Sequence, residues 1–143
     1  MEACAMKVAE FRLTRQSDKK RSHHEMDLQK TVVDWLTLVL PKDAKWIGIP
    51  NGAHMSAREC AKLKHHGMLT PGAPDLMVFW NKRAIGIELK AGNNKETESQ
   101  VQCAEQLAQA GTGVHVCRSV DDVRYTLYSY DIPLREVRTW IGL

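Results

Sequence analysis

A chain of 143 residues has material for one hydrophobic core and not for two ordinary ones. An apolar share of 43% beside 26% charged residues excludes an intrinsically disordered chain, and the longest apolar stretch, Trp35 to Leu40, is far short of the roughly 20 residues of a membrane-spanning helix. The net charge of +3 is unevenly placed: over residues 7–21, Lys7, Arg12, Arg15, Lys19, Lys20 and Arg21 face only Glu10 and Asp18, which permits a polyanionic partner.

No apolar signal core follows the N-terminal charges, and Cys4, Cys60, Cys103 and Cys117 are widely spread with no Cys-x-x-Cys pair. The expectation is a cytoplasmic protein with free thiols, neither secreted nor membrane-bound. Residues 1–21 read as a basic, mobile segment and residues 22–143 as the folded domain.

Ser22 followed by Glu25 is a capping-box pattern, and Leu28, Val32, Trp35, Leu36 and Val39 then recur at helical spacing until Pro41. Residues 45–49 read as a strand, and Ser56 caps a helix that runs to Lys64 or His66 and stops at Gly67. Pro71, Gly72 and Pro74 hold the next stretch out of helix. Two apolar runs, 75–80 and 84–90, flank the polar break Asn81-Lys82-Arg83 and predict a β-hairpin. Thr97 and Gln100 cap a further helix with Val101, Ala104, Leu107 and Ala108 inward, ended by Gly111. A strand over 113–118 follows, then a helix from Ser119 to about Tyr128, and Pro133 opens a last short helix. This order predicts an α/β fold, a mixed β-sheet flanked by helices.

If the hairpin turns through Asn81 and Lys82, Asp75 faces Glu88 across the strands. Side chains alternate along a strand, so Lys90 shares the face of Glu88 while Leu89 points into the core. Two adjacent carboxylates repel unless a cation lies between them, and hard oxygen donors suit Mg²⁺, with Mn²⁺ as a substitute. A lysine beside such a site fits phosphodiester hydrolysis, orienting water or neutralising charge that develops on the phosphate. The competing reading makes Glu88 and Lys90 an exposed ion pair and Asp75 a turn residue, and spacing alone does not separate the two.

Pro74-Asp75 followed by Glu88-Leu89-Lys90 resembles the PD-(D/E)xK nuclease signature. Pro50-Asn51-Gly52, the basic helix ending in Gly67, Gly72-Ala73-Pro74-Asp75, Gln100 and Val116-Cys117-Arg118-Ser119 narrow the resemblance to the VRR-NUC (virus-type replication-repair nuclease) branch, over roughly residues 24–128. The resemblance implies a restriction-endonuclease-like fold in which Asp75, Glu88 and the Leu89 carbonyl hold the metal and Lys90 assists the attacking water. It also places Glu25 near the metal and Gln100 in the catalytic set, although each could serve only its capping box. Short stand-alone members, many of them viral, are similar to Holliday-junction resolvases and act as homodimers on branched DNA, which implies the cytoplasm of a bacterial or phage-infected cell.

Arg58, Lys62, Lys64, His65 and His66, just before the Asp75 strand, could grip a DNA backbone, with Asn51 and His54 beside them; the alternative is a solvated helix face. The paired histidines lack structural-zinc spacing. Trp35, Trp46, Trp80 and Trp140 sit in or beside apolar runs and read as core or interface. Three functions stay open: an endonuclease on branched DNA, a nuclease or nickase on ordinary duplex or single strands, and a DNA-binding module without catalysis.

Overall fold

The computed structural model describes residues 24–51 and 55–135. The Ser22 cap, His54, Cys4, Trp140 and the basic segment 1–21 lie outside the described residues; of the last short helix expected from Pro133, residues 133–135 are described and are not helical, and the remainder lies outside them.

Helix α1 covers residues 24–39, and its Val32, Leu36 and Val39, spaced four and three apart, are buried on one side. Strand β1 (Lys45–Gly48) leads to α2 (Ala57–His65), which is fixed at its start by a complete capping box: the Ser56 hydroxyl accepts from Glu59 N, and Glu59 accepts from Ser56 N at 2.9 Å. Gly67, at φ 67°, carries the chain out of α2 in the left-handed region.

Strands β2 (Leu76–Trp80) and β3 (Arg83–Leu89) form the expected hairpin. Its two turn residues, Asn81 and Lys82, both have positive φ, 48° and 62°, as a type I′ turn demands. The register follows, with Leu76 opposite Ile87 and Trp80 opposite Arg83. Helix α3 (Glu98–Gln109), strand β4 (Gly113–Cys117) and helix α4 (Val120–Ser129) complete the described elements. The sheet order is β1-β2-β3-β4, antiparallel except for the parallel β3–β4 pair, so the sheet is mixed.

One sheet face presents Leu76, Val78, Ile85, Ile87, Leu89 and Cys117 to Val32, Leu36 and Leu40 on the α1 side and Val123 and Leu127 of α4. Each fully buried aliphatic side chain contributes about 1.5–3 kcal/mol, so this layer is the main source of stability. Trp35, Trp46 and Trp80 pack against its margin. None of Cys60, Cys103 and Cys117 is in a disulfide.

Helix α3 departs from expectation. It buries no residue fully, and Val101 and Ala108, expected inward, are exposed. The half-buried stripe is Gln100, Cys103, Ala104 and Leu107. A polar residue leads the inward face because its amide has a partner there, which rotates Val101 toward solvent.

Candidate active site

The β2–β3 register places Asp75, just before β2, opposite Glu88, and the fold buries both: Asp75 is 9% exposed and Glu88 3%. Lys90, immediately after β3, is buried as well, and its Nζ lies 3.1 Å from Glu88 Oε1. The reading of Glu88 and Lys90 as an exposed surface pair is therefore excluded. Asp75 Oδ2 accepts Leu89 N–H at 2.8 Å and Oδ1 accepts Asn51 Nδ2 at 3.3 Å. The Leu89 carbonyl lies on the same strand edge as its N–H, the edge turned to Asp75.

Gln100 works at both ends of its amide. Its Oε1 accepts Thr97 N–H at 2.8 Å, closing the capping box of α3, and its Nε2 donates to Glu88 Oε1. Glu88 Oε2 takes no hydrogen bond from any described residue. Burial raises the Glu88 carboxyl to about 7, the negative charge of Asp75 pushes in the same direction, and the Lys90 ammonium only partly offsets them. Asp75 is also raised, first by burial, with the Leu89 N–H pulling it back.

Glu25 of α1 adds negative charge felt by both carboxyls, while its Oε1 accepts Asn94 Nδ2 at 2.9 Å and Ala91 N at 3.5 Å. Among the described residues no group of three or more His, Cys, Asp or Glu is placed to hold an ion. The donors on offer are two facing carboxylates and the Leu89 carbonyl. That set fits Mg²⁺, which binds through one or two carboxylates and keeps several waters, and it supplies the negative charge that a cation would relieve.

A cleft of about 270 Å³ opens beside Asp75 and Gln100, with Asn51, Lys64, Thr70 and Thr97 on its walls. Of the basic residues expected to meet DNA, Lys64 is brought to this cleft, whereas Arg58, Lys62, His65 and His66 are exposed on or just after α2 and do not line it. Gly72, at φ 76°, lets the loop before Asp75 touch the start of α3; a Cβ there would meet Ser99 O at 2.0 Å.

The sequence matches the VRR-NUC domain over residues 12–121. The chain belongs to the VRR-NUC family. A solved structure described as a VRR_NUC domain protein is similar to it, with 25% identity and a TM-score of 0.58 over 74% of this chain and 86% of that one. No curated protein matches. Membership makes the fold restriction-endonuclease-like and the chain a nuclease of the PD-(D/E)xK type, a hydrolase whose substrate is DNA. No helix among the described residues is long and apolar enough to cross a membrane.

Two residues of this VRR-NUC site carried no role in the sequence. Arg118, just after β4, donates Nη1 to Gly92 O at 2.6 Å and Nη2 to Asn94 O at 2.8 Å, and Asn94 in turn holds Glu25. The available signals were the place of Arg118 in the Val116-Cys117-Arg118-Ser119 run and the position of Asn94 four residues beyond Lys90, whose partner Glu25 lies 69 residues away.

Proposed function

We propose that this chain is a Mg²⁺-dependent endonuclease, with Mn²⁺ as a substitute ion, that cuts Holliday junctions or other branched DNA as a homodimer. Residues 22–143 form the nuclease domain. The observation that carries the reading is the buried Asp75–Glu88–Lys90 group, with Asp75 opposite Glu88 in the strand register and Lys90 Nζ on Glu88 Oε1, at the end of the sheet.

Asp75, Glu88 and the Leu89 carbonyl would hold the ion, which when bound polarises the scissile phosphate and its water. Leu89 N–H and Asn51 fix the Asp75 carboxylate. Gln100 fixes Glu88 and adds a dipole to the site. Lys90, held against Glu88, carries the positive charge that offsets charge building on the phosphate. Glu25 trims the field from the α1 side and turns toward the loop that follows Lys90. Lys64 and the α2 cations offset the acidic site for an incoming polyanion. Dimerisation is supported by the chemistry of a junction, whose symmetric resolution calls for two equivalent sites on a two-fold axis.

The test is cleavage of a labelled four-way junction and a matched linear duplex, with and without Mg²⁺ or Mn²⁺, by wild-type protein and Asp75→Asn. Paired metal-dependent cuts near the branch are expected, absent in the variant. Cutting of linear or single-stranded DNA with the junction left intact would discard the branched substrate and the dimer. Turnover that survives in Asp75→Asn would discard the assigned site.

A further inference from the structure

A second groove, which shares no lining residue with the cleft at Lys64, lies next to the acidic site. It has a volume of about 610 Å³ and opens between the start of α1 and the loop that leaves Lys90, with His24, Gly92, Asn93, Asn94 and Arg118 on its walls. The groove and the site share a wall, because Glu25 accepts from Ala91 N–H and from Asn94 Nδ2. Gln100, which donates to Glu88, lines the first cleft, and Ala91, the residue after Lys90, lines the groove, so both openings adjoin the acidic group.

We propose that this groove binds the backbone of the cut DNA strand next to the scissile phosphate, with Arg118 as the phosphate-contacting cation. The assignment rests on the nuclease reading above and adds a binding site to it. Arg118 spends one N–H on Gly92 O and one on Asn94 O, which leaves three of its five donors uncommitted. No carboxylate is paired with its guanidinium among the described residues, so the charge is held in place and not neutralised. A planar cation already fixed by two carbonyls loses little freedom when it takes a phosphate oxygen. Asn93 and His24 add exposed polar groups suited to sugar and phosphate oxygens. The N-terminal segment, itself basic, is mismatched to an arginine-bearing groove.

The experiment measures binding of labelled single-stranded and duplex DNA in Ca²⁺ at several salt concentrations, beside Mn²⁺ affinity, for wild type, Arg118→Gln, Arg118→Lys and Asn93→Asp. Asn93 has no hydrogen bond to a described residue, so its acidic replacement changes the groove's charge without disturbing the loop. Asn93→Asp and Arg118→Gln are each expected to weaken DNA binding roughly 10-fold. Arg118→Gln should also lower the salt slope by about one, with Arg118→Lys intermediate and Mn²⁺ affinity unchanged throughout. Wild-type affinity and slope in both variants would overturn the assignment. So would loss in Arg118→Gln accompanied by falling Mn²⁺ affinity while Asn93→Asp binds normally, since Arg118 would then only hold the loop. If these variants bind normally while Asp75→Asn abolishes cutting, the groove fails and the nuclease site stands. A wild-type protein that neither binds nor cuts DNA would remove both.

Discussion

Asp75 Oδ2 accepts the backbone N–H of Leu89 at 2.8 Å, which ties a carboxylate at the start of one strand to the end of its neighbour. The bond extends the ladder beyond the first residue of β2, and with Asn51 Nδ2 on Oδ1 it fixes the carboxylate opposite Glu88 in the strand register. Asp75→Asn keeps an oxygen for Leu89 N–H and removes the charge. Its fold should melt near wild type while DNA cleavage falls at least about 100-fold, the upper range for disturbing a ligand's surroundings. Asp75→Leu removes the acceptor as well, and should cost a further 1–3 kcal/mol or so in a denaturant melt for the stranded N–H. Full activity in Asp75→Asn would show that the negative charge is not used.

Glu88 has a carboxyl raised from 4.5 to about 7 by burial first and by Asp75 second. A carboxyl whose pKa is higher in the folded chain than in the unfolded one stabilises the fold below its unfolded pKa, and that contribution is lost as pH rises through the folded value. Metal-free protein should therefore lose stability between about pH 4.5 and 7, by on the order of 3 kcal/mol. The raised Asp75 carboxyl acts in the same direction. A divalent ion competes with the Glu88 proton, so its affinity should drop as pH falls below about 7, and its stabilisation should be largest above that pH. Thermal melts across this range with and without Mn²⁺ check both; a flat metal-free profile would contradict the buried, repelling pair.

Local chemistry explains what could be read in advance. Ser56 with Glu59 and Thr97 with Gln100 are capping boxes written within four residues, and the break at Asn81-Lys82 set the hairpin register that brings Asp75 to Glu88. The inward face of α3 was misread because apolar spacing alone selects Val101, whereas Gln100 turns toward Glu88 for a hydrogen bond across twelve residues. The bonds from Asn94 to Glu25 and from Arg118 to the 92–94 loop join segments far apart in sequence, and no short-range pattern encodes them. Propensity and periodicity report on neighbours along the chain; the convergence of polar side chains on one sheet end is a tertiary property.

Gln100 holds a cap and a carboxylate at once, and the two duties can be separated. Thr97→Ala removes the capping hydroxyl and should cost about 1 kcal/mol of stability while leaving Gln100 beside Glu88. Gln100→Ala removes the other half of the box at a similar cost, and also releases Glu88 Oε1. Activity per folded molecule should then fall roughly 10- to 100-fold in Gln100→Ala and stay near wild type in Thr97→Ala. Equal activities in the two variants would reduce Gln100 to a cap.

Gly72 and Gly67 offer a paired test of how the loop before Asp75 positions the site. Both have positive φ, 76° and 67°, so alanine at either is strained by about 1–2 kcal/mol. They differ in space: nothing lies within 4 Å of a Cβ at Gly67, whereas one at Gly72 would meet Ser99 O at 2.0 Å and Gln100 N at 2.7 Å. Those are backbone atoms of the first turn of α3, which cannot yield by a rotamer change. Gly72→Ala must push that turn away and carry Gln100 off Glu88, so its melt should fall further than that of Gly67→Ala and its cleavage rate per folded molecule should fall with it. Gly67→Ala should lose stability alone. If both variants cut DNA as wild type does once corrected for folded fraction, the contact between loop and helix serves packing only, and the alignment of Gln100 with Glu88 is secured from elsewhere in α3.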